Sequence, residues 1–249
     1  AGPEKKSAVV TDRDRKITAY HEAGHAIVSR FVPLSDPVQM ITIVPRGRAG
    51  GFTAYTQDED SQYMTVNAMK SRLAMMLGGR SAELIIFEDF TTGASNDIER
   101  ATKLARSMVT TYGMSSKIGP INYDMGEEET FLGRDFGKGR SYSEDIAKLI
   151  DGEVKDLLDE AYATAQRVLS ENVEFLHIIA KRLLEVETIS GKEFETMYKK
   201  YMGIEEEKEE VVEETVAEKK DSIDEISSTV ETTEETKEEA TDVEKTETE

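Results

Sequence analysis

Residues 18–27 read TAYHEAGHAI and hold two of the chain's three histidines, four positions apart with a glutamate between them. On a helix, positions i and i+4 lie one above the other, so His21 and His25 can aim ring nitrogens at one ion. Glu22 is rotated about 100° from His21, close enough to touch a water at that ion without ligating it. This is the mechanical content of His-Glu-x-x-His: two zinc ligands and a general base in one helical turn. With three histidines in 249 residues, chance produces the arrangement less than about once in a hundred such chains. Ala23 and Gly24 lie between the two histidines, and such small residues let another element approach the helix beside the metal.

The helix that must carry the motif is expected from about Asp12 to Phe31, with Thr11 as N-cap and Pro33 ending it. The stretch VQMITIVPRGRAGGFTAYT (38–56) alternates in the β manner. It reads as two or three strands of a small sheet joined by glycine turns. The remainder is mostly helical. Thr65 caps a run that breaks at Gly78-Gly79, and a second segment covers Ser81 to Phe87. Asn96 and Glu99 have capping-box spacing for a helix to about Tyr112, with Gly113 just past its end. Residues 114–140 are glycine-rich and read as loops with a short hairpin. Long helices follow over about 143–170 and 172–185. Ser190 and Glu193 form a second capping box for a last helix ending near Gly203. The expected fold is therefore mainly α, a helical domain with a small β-sheet beside the active-site helix.

Charge is unevenly spread. From Ile204 to Glu249 there are 20 acidic and 5 basic residues, about −15 of the chain's net −20. That segment has no aromatic residue and cannot bury enough apolar surface to offset its ordering entropy, so 204–249 is expected to be a disordered acidic tail. The rest carries about −5, with no basic stripe to bind nucleic acid. There is no cysteine, which excludes thiolate ligands. No apolar run approaches the roughly 20 residues needed to cross a bilayer.

A catalytic zinc needs a third protein ligand and an open fourth position. The metzincin continuation would place Gly at 28 and His at 31, where this chain has Val28 and Phe31. Asp36 and Asp58 lie nearest the spacing of a thermolysin-like glutamate but sit outside any following helix. His177 falls in a distant amphipathic helix and reads as a satisfied, half-buried residue. A carboxylate is left, with Glu83 and Asp97 as candidates. Asp97 stands where a polar loop opens into a helix. Glu83 lies among small and apolar residues, suited to orienting a histidine.

The motifs AYHEAGHAIV, ITIVPRGRAGGFT, LGGRSAELIIF, TTGASNDIERATKLAR and MVTTYGMSSKIGP, in this order, resemble the membrane-anchored AAA zinc metalloproteases of the FtsH type. The resemblance implies one Zn²⁺ per chain on His21, His25 and Asp97, with Glu22 as base and Glu83 in support. The family's position implies that residues 1–11 are a linker from an AAA ATPase module and 12–203 the zinc metalloprotease domain. It implies a homo-hexamer at the bacterial inner membrane, facing the cytoplasm, that degrades unfolded and membrane proteins processively. This sequence contains neither the G-x-x-x-x-G-K-[ST] phosphate loop nor a transmembrane helix, so ATP and membrane contact are expected only through segments absent here. An edge strand around Gly51, Phe52 and Thr53 is expected to hold extended substrate by backbone pairing. The competing expectation is a non-catalytic hexamerisation module with a structural zinc. Glu22 separates the two, because a structural site needs no base.

Overall fold

The computed structural model of the chain describes residues 11–46, 50–56, 63–124 and 142–204. Of the expected linker only Thr11, and of the expected tail only Ile204, fall among them. The hairpin expected within 114–140 falls mostly on residues outside the described ones.

Seven helices and three strands make up the described part. Helix α1 spans Asp12–Phe31. Thr11, in an extended conformation, accepts the Asp14 N–H on its hydroxyl at 3.1 Å, and Asp12 and Asp14 complement the positive end of the helix. Its buried residues run from Ala19 to Ser29 without interruption, so this helix is the centre of the domain rather than a surface element. Strands β1 (Val38–Thr42) and β2 (Phe52–Tyr55) pair antiparallel, Ile41 opposite Thr53.

Helix α2 (Val66–Met76) is capped by Thr65, and α3 (Gly78–Phe87) follows after a single residue. By its sequence the Gly-Gly pair breaks the helix, with the next segment starting at Ser81; in the structure it opens α3. The reason is contact. A methyl group on Gly24 would lie 2.6 Å from the Gly78 carbonyl oxygen and from Ala82 Cβ, and one on Gly78 would lie 2.7 Å from the Gly24 carbonyl oxygen. The glycines let α1 and α3 cross backbone to backbone.

Helix α4 (Ser95–Thr110) departs from expectation at its start. The Asn96–Glu99 capping box does not form. The helix continues out of a 3-10 turn (Thr92–Ala94), the Ser95 N–H bonding back to Thr92, and no side chain caps it. Glu99 pairs with Lys103 instead, at 2.6 Å. Gly113 beyond the end has φ of 61°, as a helix terminator should.

Helix α5 (Glu144–Glu171) starts at the Ser143 cap, and α6 is Val173–Val186. Between α6 and α7 (Gly191–Met202) lies a third strand, β3 (Thr188–Ser190), that periodicity did not single out. It pairs with the inner edge of β1, Ile41 opposite a fully buried Ile189, giving the order β2-β1-β3. Ser190 ends β3 and caps α7 through the Glu193 N–H. Glu193 does not return the bond to Ser190; its side chain pairs with Arg182.

Helix α1 packs on α3 and α6 and carries β1 and β2 on a further side, while α5 spans α2, α3 and α4. The core runs through Ile27, Leu73, Met108, Ile150, Phe175 and Ile189. Strand β2 is an edge of the sheet lying along α1. No helix among the described residues is long and apolar enough to cross a membrane.

Candidate metal centre

His21, Glu22 and His25 occupy the buried middle of α1, each less than a tenth exposed. Asp97 enters from the first turn of α4 and is half-buried. The ligand-capable atoms converge: His21 Nε2 lies 3.1 Å from His25 Nε2 and 3.2 Å from Asp97 Oδ2, and His25 Nε2 lies 3.4 Å from that oxygen.

The other ring nitrogens fix the tautomers. His25 Nδ1 is 2.8 Å from the Met75 carbonyl, a group that only accepts, so Nδ1 carries the proton. His21 Nδ1 is 2.6 Å from Glu83 Oε1. Glu83 Oε2 accepts the Thr91 N–H at 2.6 Å. Against the effect of burial, these two bonds hold the Glu83 carboxyl below the usual glutamate range, so it too accepts. With both imidazoles neutral, three lone pairs then face one point, and only a cation relieves their repulsion. That cation is a proton or a metal ion.

Tetrahedral zinc with bonds near 2.0–2.1 Å sets its ligand atoms about 3.3 Å apart. The triangle of 3.1, 3.2 and 3.4 Å fits that edge, and two imidazoles with a carboxylate are a borderline-soft donor set that suits zinc. Without metal the cluster recruits a proton. Burial works against it, but hydrogen bonds to Asp97 and Glu83 lift His21 to about 10. Asp97 is likewise held well below the usual aspartate range despite burial, by its bonds to His21 and His25.

Glu22 makes no hydrogen bond to His21, His25 or Asp97 among the described residues, though the histidines stand close enough to act on its charge. Burial raises its pKa, and the neighbouring histidines and Thr53 partly offset this. The Thr53 hydroxyl donates to Glu22 Oε2 at 2.8 Å, with the Glu22 carbonyl 3.2 Å away. Of the expected substrate strand, Gly51 and Thr53 therefore meet α1, and a Cβ on Gly51 would come within 3.1 Å of Glu22 Cγ.

Several participants carried no signal in the sequence. The Met75 carbonyl and the Thr91 N–H are backbone groups. Gly79 matters only by adjacency, since a Cβ there would sit 2.5 Å from His21 Cε1 and Nε2. Tyr55 shares a strand face with Thr53 by the period of two. Its hydroxyl is buried with no hydrogen-bond partner among the described residues, and burial pushes it well up, helped by the charges of Glu22 and Asp97. His177, the third histidine, is exposed on α6 rather than half-buried as the sequence suggests, and bonds the Tyr20 hydroxyl through Nδ1 at 2.8 Å.

The chain is similar to known proteins over most of its length. It is 50% identical over 198 residues, 80% of this chain, to the ATP-dependent zinc metalloprotease FtsH 1 of Thermoanaerobacter sp.. It is 50% identical over 193 residues, 78% of this chain, to the ATP-dependent zinc metalloprotease FtsH of Caldicellulosiruptor bescii. It is 48% identical over 198 residues, 80% of this chain, to FtsH 2 of Alkaliphilus metalliredigens. The aligned part is 32%, 31% and 29% of those proteins, so the chain spans about a third of the length of the curated relatives it matches. Residues 8–197 match the sequence profile of peptidase family M41, a stretch that includes His21, Glu22, His25, Glu83 and Asp97. On that match, and on half-identical relatives, the chain belongs to peptidase family M41.

Proposed function

We propose that this chain is a zinc-dependent endopeptidase domain in which His21, His25 and Asp97 hold the metal and Glu22 is the general base. The observation that carries the reading is the convergence of three lone-pair atoms, at 3.1–3.4 Å from one another, beside a buried carboxylate that joins none of them. A zinc ion held there supplies Lewis acidity, polarising a scissile carbonyl and making a water acidic enough to attack near neutral pH.

The chain's own residues do the rest. Glu83 and the Met75 carbonyl keep the proton on Nδ1 of each histidine, so that each Nε2 is free to ligate. Glu22 takes the proton of the attacking water and delivers it to the leaving amine, and its burial raises its basicity toward that task. The edge of β2 that no described strand pairs with, at Gly51, Phe52 and Thr53, holds an extended substrate by backbone pairing, with little demand on its side chains. Such a site suits unfolded chains.

The names of the relatives, together with the motif resemblance, support placing this domain in an ATP-driven, membrane-anchored homo-hexamer that degrades unfolded and membrane proteins processively. In that setting ATP is used by a separate AAA module. The bacterial inner membrane, cytoplasmic side, is the corresponding location.

The decisive comparison is wild type against Glu22→Gln on casein, a protein without stable tertiary structure, with zinc content measured in both. Cleavage is expected to fall at least about 100-fold, within the usual range for a lost general base, at unchanged zinc content. Equal cleavage by the two would overturn the role of Glu22, and no cleavage by either would leave a non-catalytic assembly module.

A further inference from the structure

Strand β2 meets the base at more than one point. Thr53 bonds Glu22, and a Cβ built on Gly51, the residue just before β2, would press on the same side chain. Gly51 has no room for a side chain: a Cβ there would lie 2.6 Å from the Thr42 carbonyl oxygen, 2.8 Å from Thr18 Cγ2 and 3.1 Å from Glu22 Cγ. Thr18 and Glu22 are themselves i and i+4 on α1. The strand is therefore pressed flat on one turn of the helix, and Thr53 reaches the end of the glutamate that Gly51 meets at its stem. Thr53 donates to Oε2, and among the described residues no side chain donates to Oε1. One carboxylate oxygen is thus anchored and the other left to take a proton. The remaining carboxylates of the cluster are differently engaged, Glu83 with His21 and Thr91, and Asp97 with both histidines.

We propose that Thr53 is a positioning residue: its hydroxyl fixes the rotamer of Glu22, so the strand that receives substrate on its outer edge also aims the base from its inner face. The inference rests on the reading of Glu22 as general base given above. A carboxylate on three rotatable bonds, placed off the water by about 1 Å, loses rate on the order of 100-fold. A single strong hydrogen bond to a strand residue restricts it. Coupling docking and aim through one residue means that displacing β2 disables the base as well as the binding edge.

Thr53→Val removes the hydroxyl while keeping β-branching and volume, so β2 keeps its propensity. Thr53→Ser keeps the hydroxyl. On casein, with Glu22→Gln alongside and zinc content measured in every variant, Thr53→Val is expected to lower kcat about tenfold or more. KM should stay within about twofold and zinc content should match wild type. Thr53→Ser is expected to return kcat to within about threefold of wild type. A full kcat in Thr53→Val, or a loss confined to KM, overturns the inference while Glu22→Gln remains inactive. Equal cleavage by wild type and Glu22→Gln instead removes the reading beneath it. Loss of the folded state in Thr53→Val would show a structural role and overturn the inference; loss of zinc from a folded Thr53→Val, with full recovery in Thr53→Ser, is resolved by a crystal structure of the Val variant. A Glu22 carboxylate unmoved there also overturns the inference, and one rotated away from position 53 supports it.

Discussion

Gly79→Ala places a methyl group against the ring of His21. The built Cβ lies 2.5 Å from Cε1 and Nε2 and 2.7 Å from Cδ2, where carbon contacts settle near 3.5 Å. About 1 Å must be found. The ring is held at Nδ1 by Glu83 and meets His25 and Asp97 at Nε2, and ligand distances tolerate only about 0.2 Å. Overpacking costs roughly 1–3 kcal/mol. If the strain falls on the ligand, the same energy appears as zinc affinity weakened about 5- to 150-fold, at 1.4 kcal/mol per tenfold. Alanine in place of a helical glycine returns about 0.5–1 kcal/mol to the fold, so the metal-free melting temperature should move by only a few degrees. Gly24→Ala is the contrast. Its methyl meets the Gly78 carbonyl at 2.6 Å, a backbone atom of α3 that cannot rotate aside, so it should destabilise the metal-free fold directly. Chelator competition gives the zinc affinities and thermal melts the stabilities. Zinc affinity within twofold of wild type in Gly79→Ala would refute the reasoning, as would a metal-free destabilisation equal to that of Gly24→Ala.

Glu83→Ala removes the acceptor on His21 Nδ1 and the partner of the Thr91 N–H; zinc affinity should fall about 10- to 100-fold, measured by the same competition. His21, lifted to about 10 in the metal-free cluster, is protonated at pH 8, so zinc uptake there should release close to one proton per chain. Calorimetry in buffers of different ionisation enthalpy reads this, and no release would contradict the cluster's electrostatics. Because the folded pKa of His21 exceeds its unfolded value near 6.5, its contribution to metal-free stability is complete below that pH. The melting temperature of the metal-free chain should therefore fall as pH rises from about 6.5 toward 10, while zinc affinity rises over the same interval.

The parts of this fold that were legible in the sequence are those whose physics is local. Thr11, Thr65, Ser143 and Ser190 each accept an N–H three residues on, and a cap of that kind needs nothing beyond its own turn. Asn96 obeyed the same spacing and failed, because the chain reaches α4 through a 3-10 turn that satisfies the first amide from the backbone. What stayed hidden was pairing. In the sequence Gly24 reads as room for a neighbour and Gly78-Gly79 as a break, yet they are two sides of one helix crossing. Strand β3 is three residues long with only Ile189 buried, too short for a period, and exists because β1 has an inner edge to fill. The site divides the same way. Spacing alone put His21 and His25 on one helix face, but each histidine has two nitrogens, and the partner of the second decides whether the first can bind a cation. For His21 that partner is a side chain, and an isolated glutamate among apolar residues pointed to it. For His25 it is the Met75 carbonyl, which every residue possesses and no composition reveals. Replacing Met75 should therefore leave zinc affinity nearly unchanged so long as α2 keeps its path, whereas proline at Met76, which bars the helical conformation of the residue before it, should reorient that carbonyl and weaken zinc. Equal zinc affinity in both variants would show that the tautomer of His25 is set elsewhere.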